Sequence, residues 1–333
     1  MTPLPMKRGL RLGIVNPLTL VGNEIKTILR ERSFPFDKIV LLDSSGQTTG
    51  ALTELGDEPA IVESAASDSF EDLDLVFFCG PGETNREWLE RSSEDGFAAI
   101  DLSRPSAAEE ARAVIAGINL EGLGETDRVV VSPHPVAIPI ALILHQIGLV
   151  AEVSFCAATV VQPASEFEQA GVEELAAQTM SVLTVQSIPQ KIFDRQLAFN
   201  LYPAVEHQEK VIGDQIRSLT DQRTELALLV TQGTIFHSHT FSLFVRTRER
   251  LDVGAIIATL QENSAIAFPE ADQQFGTIDA AGRDEVLIGE VRPDPSIRNG
   301  FWIWAVCDNL RRSSALNAVL IAEKLLLGTG MTN

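Results

Sequence analysis

The stretch Leu10–Arg32 reads LRLGIVNPLTLVGNEIKTILRER and joins a short apolar run, a tight turn and an amphipathic pattern. The run LRLGIV is typical of a buried strand. After the turn, Val21, Ile25 and Leu29 recur at helical spacing and predict a helix with one apolar face. A strand that leads through a turn into a helix is the first repeating element of a parallel α/β sheet.

The same alternation of strands and helices continues to about residue 133. Further strands are predicted from the runs KIVLLD, LDLVFFCG, FAAIDLS and RVVVS, at residues 38–43, 73–80, 97–103 and 128–132. Because these runs are apolar on both faces, the strands should be covered by helices on both sides. We therefore predict an α/β class with a Rossmann-like, doubly wound parallel sheet in a nucleotide-binding-type domain over residues 1–134.

Beyond residue 145 the pattern changes to longer strands, including AEVSFCAATVV, ELALLVTQGTIF and HTFSLFVRTRE. The run HTFSLFV alternates between apolar and polar residues, which predicts an antiparallel sheet with one covered face. Helical patterns lie between these strands. We predict an α+β domain with a mixed or antiparallel sheet over residues 135–312, followed by an apolar helix over residues 313–330.

The composition excludes several classes of function. The net charge of −20 over 333 residues would repel nucleic acid and anionic membrane, so neither is predicted as a partner. Cys79, Cys156 and Cys307 have no metal-binding or disulfide spacing, which predicts no metal site and a reducing cytoplasm. A signal peptide is an alternative reading of the basic, apolar N-terminus, but Asn16 and Pro17 interrupt its apolar run.

The turn after the first strand is where a Rossmann-like domain would bind a dinucleotide. Of the glycines that let the backbone approach a pyrophosphate, only Gly13 and Gly22 are present. Asn16 can adopt a left-handed conformation, whereas Pro17 lacks an N–H and Leu18 adds bulk. The alternative is a turn kept only for folding. The candidate cofactor contacts in this turn are Gly13, Thr19, Val21 and Gly22.

Two further candidates follow later strands. Asp43 ends the second strand, where an acid would bind a ribose hydroxyl and favour NAD over NADP. Gly80 lies in a second glycine turn at the same edge of the sheet. The ordinary alternatives are an Asx turn at Asp43 and a simple tight turn at Gly80. We predict no firm cofactor, with NAD or NADP as the class that this crevice would take.

Several stretches together resemble aspartate-semialdehyde dehydrogenases over nearly the whole chain. They are GIVNPLTLVGNEI, FFCGPGETNREWL, VVSPHPVAIPIAL and above all EVRPDPSIRNGFWIWAVCDNLRRSSALNAVLIAEKLL. The run FDRQLAFNL resembles the Usg-type paralogues of the enzyme more narrowly. The resemblance implies a second domain that dimerises through its sheet and a final helix, 313–330, that returns to the first domain.

The resemblance also implies an active site with a cysteine nucleophile, a proton-transferring histidine, an arginine that binds the substrate carboxylate, NADP and phosphate. Here the histidine is His239 and the accompanying glutamine is Gln162. The nucleophile position instead holds Pro135, and the arginine position holds Gln232. Glu166 has entered a loop where the family has glycine. Proline suits the first position of a helix, so Pro135 keeps a structural role and loses the chemical one.

Other reactive groups offer weaker alternatives. A buried cysteine could replace the nucleophile, but buried thiols are usually inert. His237 and His239, two residues apart on a predicted strand, would share a face, yet no third metal ligand is evident.

Two functions follow from these patterns. The first is a non-catalytic pseudoenzyme, a homodimer that serves as a binding or scaffold protein for an unknown small anion or protein partner. The alternative is an NAD(P)-dependent oxidoreductase of altered substrate that uses His239.

Overall fold

A computed structural model of the chain describes residues 9–56, 58–106, 108, 110–124, 126–204, 208–220, 223–270 and 274–328. The first eight residues, which belong to the signal-peptide alternative, and the last two residues of the predicted helix 313–330 lie outside these ranges. The chain folds into two compact units. The first comprises the residues up to Val114, Leu120–Ser132 and the residues from Ala315 onward, and the second comprises Ile115–Asn119 and Pro133–Ser314.

The strands of the first unit are mostly short, whereas several strands of the second unit are eight to ten residues long. The strands are β1 (Arg11–Val15), β2 (Lys38–Asp43), β3 (Leu52–Leu55), β4 (Glu58–Ile61), β5 (Glu63–Ser64), β6 (Leu75–Phe78), β7 (Ala98–Asp101), β8 (Arg112–Ala113), β9 (Val129–Val131), β10 (Val153–Gln162), β11 (Leu201–Pro203), β12 (Glu225–Gly233), β13 (His239–Thr247), β14 (Ile266–Ala267), β15 (Val286–Pro293) and β16 (Gly300–Cys307). The helices are α1 (Leu20–Glu31), α2 (Gly82–Glu90), α3 (Ser92–Asp95), α4 (Ala137–Gly148), α5 (Glu168–Leu183), α6 (Glu209–Leu219), α7 (Val253–Gln261), α8 (Thr277–Ala280) and α9 (Leu316–Leu327).

The sheet of the first unit is parallel. Within the described residues it has seven strands in the order β5-β2-β1-β6-β7-β9-β8, and β3 and β4 form a separate hairpin. Leu12 and Ile14 of β1 and Phe77 and Phe78 of β6 are fully buried. Burial on both faces explains why these strands are continuous apolar runs. The predicted Rossmann-like parallel sheet is confirmed.

Helix α1 packs through the apolar face that its sequence predicts. Ile25, Ile28 and Leu29 are almost inaccessible, and the helix ends in the segment that carries Arg32. Arg32 donates two hydrogen bonds, of 2.7 and 2.9 Å, to the buried carboxylate of Glu323 on α9. A paired charge of this kind fixes the position of the final helix beside α1 within the first unit.

The sheet of the second unit is mixed, as predicted. Its described strands run in the order β11-β12-β10-β13-β16-β15-β14. β10 is parallel to β12 and antiparallel to β13, which is antiparallel to β16. Along β13, buried Phe241, Leu243 and Val245 alternate with partly exposed Thr240 and Ser242, so one face is covered and the other is more open.

The open face of this sheet carries an apolar patch, with the charged side chains of Arg246 and Glu225 at one end of the face. It carries Phe155 on β10, Leu229 on β12 and the two tryptophans of β16, Trp302 and Trp304. Leu229 is 49% exposed, and both tryptophans are only partly buried. A large apolar surface of this kind is typical of a protein–protein contact.

The FDRQLAFNL segment is held by two buried side chains of α5. The Glu174 carboxylate accepts hydrogen bonds from the backbone N–H groups of Lys191, Ile192 and Phe193. One turn further along α5, the Gln178 amide bonds the backbone between residues 189 and 198. Burial raises the pKa of Glu174, but these hydrogen bonds outweigh it and hold the pKa below its ordinary value.

None of the helices in the described part of the chain combines the length and apolar character that crossing a membrane requires.

Candidate functional site

In the first unit, the turn after β1 is organised by Asn16. Its backbone is left-handed, with φ of 57°, as the sequence suggests. Its side-chain amide donates to the carbonyl of Cys79, at 2.8 Å, and to the hydroxyl of Ser44, at 2.9 Å. One buried amide thus connects the C-terminal ends of β1, β2 and β6.

A second buried amide, Asn85 of α2, completes this network. It donates to the Cys79 carbonyl and to the Ser103 hydroxyl, each at 2.8 Å. Its oxygen accepts from Ser44, also at 2.8 Å, and from Asn16, at 3.2 Å. The edge of the sheet where a Rossmann-like domain would bind its cofactor therefore contains side chains that are hydrogen-bonded to one another.

The candidate glycines each have a packing role. A Cβ on Gly22 would lie 2.8 Å from the Asn16 carbonyl oxygen, and a Cβ on Gly13 would lie 2.9 Å from Leu73. Gly80 has φ of 79°, and a Cβ there would lie 3.1 Å from the Asn16 amide nitrogen. These positions exclude larger residues because the surrounding protein is close to them, which does not require a ligand.

The other two candidates in the first turn stabilise α1. Thr19 caps the helix, because its hydroxyl accepts from the Gly22 N–H at 3.0 Å. Val21 is 7% exposed and belongs to the core.

Asp43 organises the loop that follows β2. Its carboxylate accepts hydrogen bonds from the backbone and hydroxyl of Ser45, the backbone of Gly46, the backbone of Thr48 and the hydroxyl of Thr49. Burial raises its pKa, but these donors more than compensate and the pKa lies well below its ordinary value. Asp43 therefore forms the Asx turn that is the ordinary alternative at this position. A ribose would have to displace these donors to bind its carboxylate.

In the second unit, Pro135 lies at the start of α4. The carbonyl of His134 accepts from the backbone N–H groups of Ala137 and Ile138, at 2.7 and 3.3 Å, so the first turn of the helix begins at His134. The His134 ring nitrogen Nδ1 also accepts from the Val136 N–H at 3.1 Å. Pro135 lies in the turn that leads into α4, directly before the N-cap Val136, where its missing N–H is not needed.

The other family positions form one row across three neighbouring strands. The register places Gln162 of β10 opposite Gln232 of β12. It also places Val161 opposite Thr240, so His239, at the start of β13, is next to Gln162. The structure therefore brings together Gln162, Gln232 and His239, which are separated by 77 positions from first to last in the sequence.

Within this row the two glutamines bind each other. The Gln162 amide donates to the Gln232 side-chain oxygen at 2.8 Å, and the Gln232 amide donates to the Gln162 carbonyl at 3.2 Å. Gln232 is only 2% exposed. The position is therefore neutral and its hydrogen-bonding groups are used within the protein.

His239 is fully buried beside an acid. Its Nε2 lies 3.5 Å from the carboxylate of Glu166, and Asn309 donates to the same carboxylate oxygen at 3.0 Å. Asn309 also bonds the Ser165 hydroxyl and accepts from the Ser238 N–H at 3.0 Å. A histidine beside a carboxylate that is itself oriented is an arrangement able to hold or transfer a proton.

Two features of this region were not predicted. Asn309 connects the loop at Ser165 to the turn before β13, and the sequence motif that contains it does not indicate this role. Arg312 lies in a π-helical turn, Arg311–Ala315, and is 1% exposed, and burial lowers its pKa. Its Nη2 donates to the Ala116 carbonyl at 3.0 Å, while Nε and Nη1 have no hydrogen-bond partner within the described part of the chain. The apolar periodicity of a sequence does not indicate whether an arginine such as Arg312 is buried or exposed.

The metal-pair alternative does not fit the structure. His237 lies in the turn before β13, not on the strand, so it does not share a strand face with His239. Across the described ranges, no group of three His, Cys, Asp or Glu side chains is arranged to hold a metal ion.

Comparison with known proteins shows which family the chain resembles. Residues 12–129 match the family model described as semialdehyde dehydrogenase, NAD binding domain, and residues 145–312 match the one described as semialdehyde dehydrogenase, dimerisation domain. The chain belongs to the semialdehyde dehydrogenase family. Its relatives include both named enzymes and Usg-type proteins, as the sequence resemblance predicts.

Among the semialdehyde dehydrogenase relatives, the USG-1 protein homolog of Pseudomonas aeruginosa is 29% identical, with 96% of this chain and 99% of that protein covered. The aspartate-semialdehyde dehydrogenase of Rickettsia conorii is 25% identical over the same shares of both chains. Among solved structures, a probable aspartate-semialdehyde dehydrogenase from Pseudomonas aeruginosa has 27% identity and a TM-score of 0.90, with 96% of this chain and 99% of that chain covered. Aspartate semialdehyde dehydrogenase II of Vibrio cholerae, solved in complex with ASA, has 25% identity and a TM-score of 0.90, with 97% and 99% covered.

The cysteines of this semialdehyde dehydrogenase homologue are all buried and free. Burial raises the pKa of Cys156 and of Cys307 to about 12. A thiol with so high a pKa supplies almost no thiolate near neutral pH. The alternative of a substitute cysteine nucleophile is therefore not supported at Cys156 or Cys307.

Ser238 lies in the turn directly before His239. It has φ of 74°, is fully buried, and its hydroxyl has no hydrogen-bond partner among the residues that the structure describes. A left-handed backbone costs a non-glycine residue about 1–2 kcal/mol, and an unsatisfied buried hydroxyl costs about 1–3 kcal/mol. The turn that positions His239 is therefore strained.

We expect Asp43→Asn to lower the free energy of unfolding by about 2 kcal/mol at pH 7, because an amide cannot accept all the hydrogen bonds of the carboxylate. The pKa of Asp43 is lowered in the folded state, so its stabilisation is present above its ordinary pKa of about 3.9 and is lost as the pH falls through the lowered value. Urea unfolding from pH 7 to pH 3 should show the two proteins converging below about pH 4.

The matched control is Asp72→Asn. Asp72 also lies in the first unit, but its side chain is 62% exposed and pairs with Arg11 at the surface. This substitution should change the free energy of unfolding little at any pH, since exposed ion pairs contribute little to stability. An Asp43→Asn protein as stable as the Asp72→Asn control at pH 7 would contradict the role assigned to the Asp43 carboxylate.

We expect Ser238→Gly to raise the free energy of unfolding by about 1–2 kcal/mol, because it relieves the left-handed strain and removes the unsatisfied hydroxyl. Ser238→Ala removes only the hydroxyl and should lie between the wild-type protein and the glycine variant. Urea denaturation of the three proteins gives the order of stability. A glycine variant less stable than wild type would show that the hydroxyl makes a favourable contact.

Proposed function

We propose that this member of the semialdehyde dehydrogenase family has lost the phosphorylating aldehyde dehydrogenase reaction and acts as a non-catalytic, homodimeric binding or scaffold protein. Its two domains would be residues 1–134 with the final helix 313–330, and residues 135–312. We also assign it to the cytoplasm, which its three free cysteines favour.

The observation that carries this proposal is Pro135 at the nucleophile position. The family reaction requires a thiolate to attack the aldehyde and carry the acyl group until phosphate releases it. Proline has no atom that can form this bond, and its place at the start of α4 is a structural one. Loss of a covalent nucleophile lowers turnover by about a million-fold in well-studied hydrolases.

The substrate-binding position supports the same conclusion. An arginine there would bind the substrate carboxylate through a charged, two-pronged hydrogen bond. Gln232 is neutral, and its amide bonds Gln162 instead. A substrate carboxylate would therefore meet neither a positive charge nor an unused donor at this position.

The turn after β1 does not fit a tightly held NAD or NADP. Pro17 lacks the backbone N–H that a pyrophosphate would need, and the Gly22 N–H is bonded to Thr19. The carboxylate of Asp43 is engaged by its own loop. These contacts support the absence of a firm cofactor, and no step of a reaction is assigned to a nicotinamide here.

The alternative function is an NAD(P)-dependent oxidoreductase of altered substrate. The contact between His239 and Glu166 favours it, because such a pair is able to transfer a proton. Hydride transfer would still require a bound nucleotide. Calorimetric titration with NAD and with NADP distinguishes the two functions, since saturable binding of either supports the oxidoreductase and its absence supports the binding protein.

We expect the purified protein to show no phosphate-dependent reduction of NADP with aspartate semialdehyde. Pro135→Cys should not restore the activity, because Gln232 leaves the substrate carboxylate without its charged partner and orientation contributes several kcal/mol. Absorbance of NADPH is the measurement, with heat-treated protein as the control. Turnover in the wild-type protein that Gln232→Ala abolishes would overturn the proposal, and turnover in Pro135→Cys alone would show that Gln232 is not a defect.

Self-association is supported by the match of residues 145–312 to a dimerisation domain and by the open apolar face of the second sheet. A second copy, related by a two-fold axis, would bury this face. Light scattering should therefore give a mass near twice the 36.2 kDa of one chain. Leu229→Glu, on the open face, should shift the mass toward the monomer.

Leu52→Glu is the matched control for the dimer. Leu52 lies on β3 in the first unit and is 74% exposed, so a charge there should leave the mass unchanged. A stable monomer in the wild-type protein, or dissociation by both substitutions alike, would contradict dimerisation through the open face.

A further inference from the structure

A groove lined by arginines lies at the end of the second sheet opposite to His239. β13 begins at His239 and ends at Thr247, so the two ends of this strand are about 26 Å apart. The groove has a volume of about 420 Å³ and is lined by four arginines, Arg223, Arg246, Arg248 and Arg298. We call it the arginine groove. This distance separates the arginine groove from Gln162, Gln232 and His239.

The charge of this groove is opposite to that of the chain as a whole. The chain has 26 basic and 46 acidic residues, yet Glu225 is the one carboxylate among the described residues that line the groove. Glu152 adds a second carboxylate nearby. Four exposed arginines therefore line one groove in which Glu225 is the lining carboxylate and Glu152, bonded through its N–H to Glu249, lies beside it. Positive charge thus exceeds negative charge in the lining of a groove on an acidic chain, which favours an anionic ligand there.

A β-bulge positions the first of these arginines. The register of β10 against β13 shifts between Val153 and Phe155, which leaves Ser154 at the bulge. The Ser154 hydroxyl donates to the Arg246 carbonyl at 3.0 Å and accepts from the Arg246 Nε at 3.4 Å. The guanidinium also lies over the Phe155 ring, 5.9 Å from its centre. Bulges often redirect side chains at binding sites, and this one holds Arg246 by both its backbone and its side chain.

The remaining arginines come from other parts of the chain. Glu152 contacts Arg248 at 2.7 Å and Arg223 at 3.7 Å, which holds these two side chains together. Arg298 precedes Asn299, whose left-handed backbone, with φ of 58°, turns the chain at the groove. The Asn299 amide donates to the Arg248 carbonyl at 2.9 Å. The arginines of the groove therefore come from three separate segments of the chain. Arg246 is held by Ser154, and Arg223 and Arg248 are held by Glu152.

From this arrangement we infer that the arginine groove is a binding site for a small anion that carries phosphoryl groups. A phosphoryl group presents three oxygens in different directions, which suits guanidinium groups that approach from separate segments, whereas a carboxylate accepts in one plane. The volume lies within the range of about 300–1,000 Å³ that small-molecule sites occupy. The acidic surface elsewhere on the chain disfavours a nucleic acid as the ligand.

Inorganic pyrophosphate is the probe for this site. Calorimetric titration at low ionic strength, where exposed charges are least screened, should show saturable binding to the wild-type protein. Arg246→Ala and Arg298→Ala should each weaken the affinity at least about tenfold, and Arg246→Lys should weaken it less, because lysine keeps the charge and loses the fork. Circular dichroism and light scattering confirm that each variant keeps its fold and mass. If Arg246→Ala does not fold, Arg298→Ala decides the result.

The matched control is Arg217→Ala. Arg217 lies on α6 and pairs with Asp214 at the surface, away from the lining of the groove, so its loss should leave the affinity unchanged. Three outcomes would overturn the proposal. They are no saturable binding to the wild-type protein, equal binding to Arg298→Ala and wild type, which would place the anion elsewhere, and binding of citrate as tight as that of pyrophosphate, which would refute the phosphoryl assignment.

Discussion

Buried side-chain amides must find hydrogen-bond partners, and in this protein that requirement shapes the loops at the strand ends. An unsatisfied buried amide costs roughly as much as one or two hydrogen bonds contribute, so each amide imposes a geometry on the loops around it. In the first unit Asn16 and Asn85 connect the ends of β1, β2 and β6. In the second unit Asn309 connects the loop at Glu166 to the turn that begins β13. Both units thus use buried side-chain amides to hold loops, alongside the carboxylates of Asp43 and Glu174.

The same requirement is met at the two positions on which the proposed loss of catalysis rests. The resemblance assigns Gln232 to the position of a carboxylate-binding arginine, and Gln162 satisfies its amide. It assigns Pro135 to the position of the nucleophile, and the turn that leads into α4 accepts a proline because no N–H is required there. At both positions the local hydrogen bonding is complete without a reactive group. The proposed loss of the reaction would therefore leave the fold intact.

The arginine side chains are placed differently from the buried amides. The chain is strongly acidic, yet four arginines line one groove at one end of the second sheet, where a bulge and a carboxylate hold three of them in place. Arg312 shows the opposite case, a single cation buried with few partners beside the segment that carries Asn309. At Arg312 burial of the positive charge carries a cost in free energy, whereas the groove arginines remain exposed to solvent.

The sequence by itself determined the fold class and the faces of the main helices and strands, and it supplied Pro135 and Gln232, on which the proposed loss of catalysis rests. Apolar periodicity is a local property, and burial follows it directly, as the covered faces of α1 and β13 show. Only the tertiary structure decided what the polar residues do. Asp43 could bind a ribose or its own loop, and Gln162 could face a substrate or another glutamine, until strand register and loop closure placed their partners. Hydrogen bonds between residues far apart in the chain depend on three-dimensional position, which local patterns do not encode.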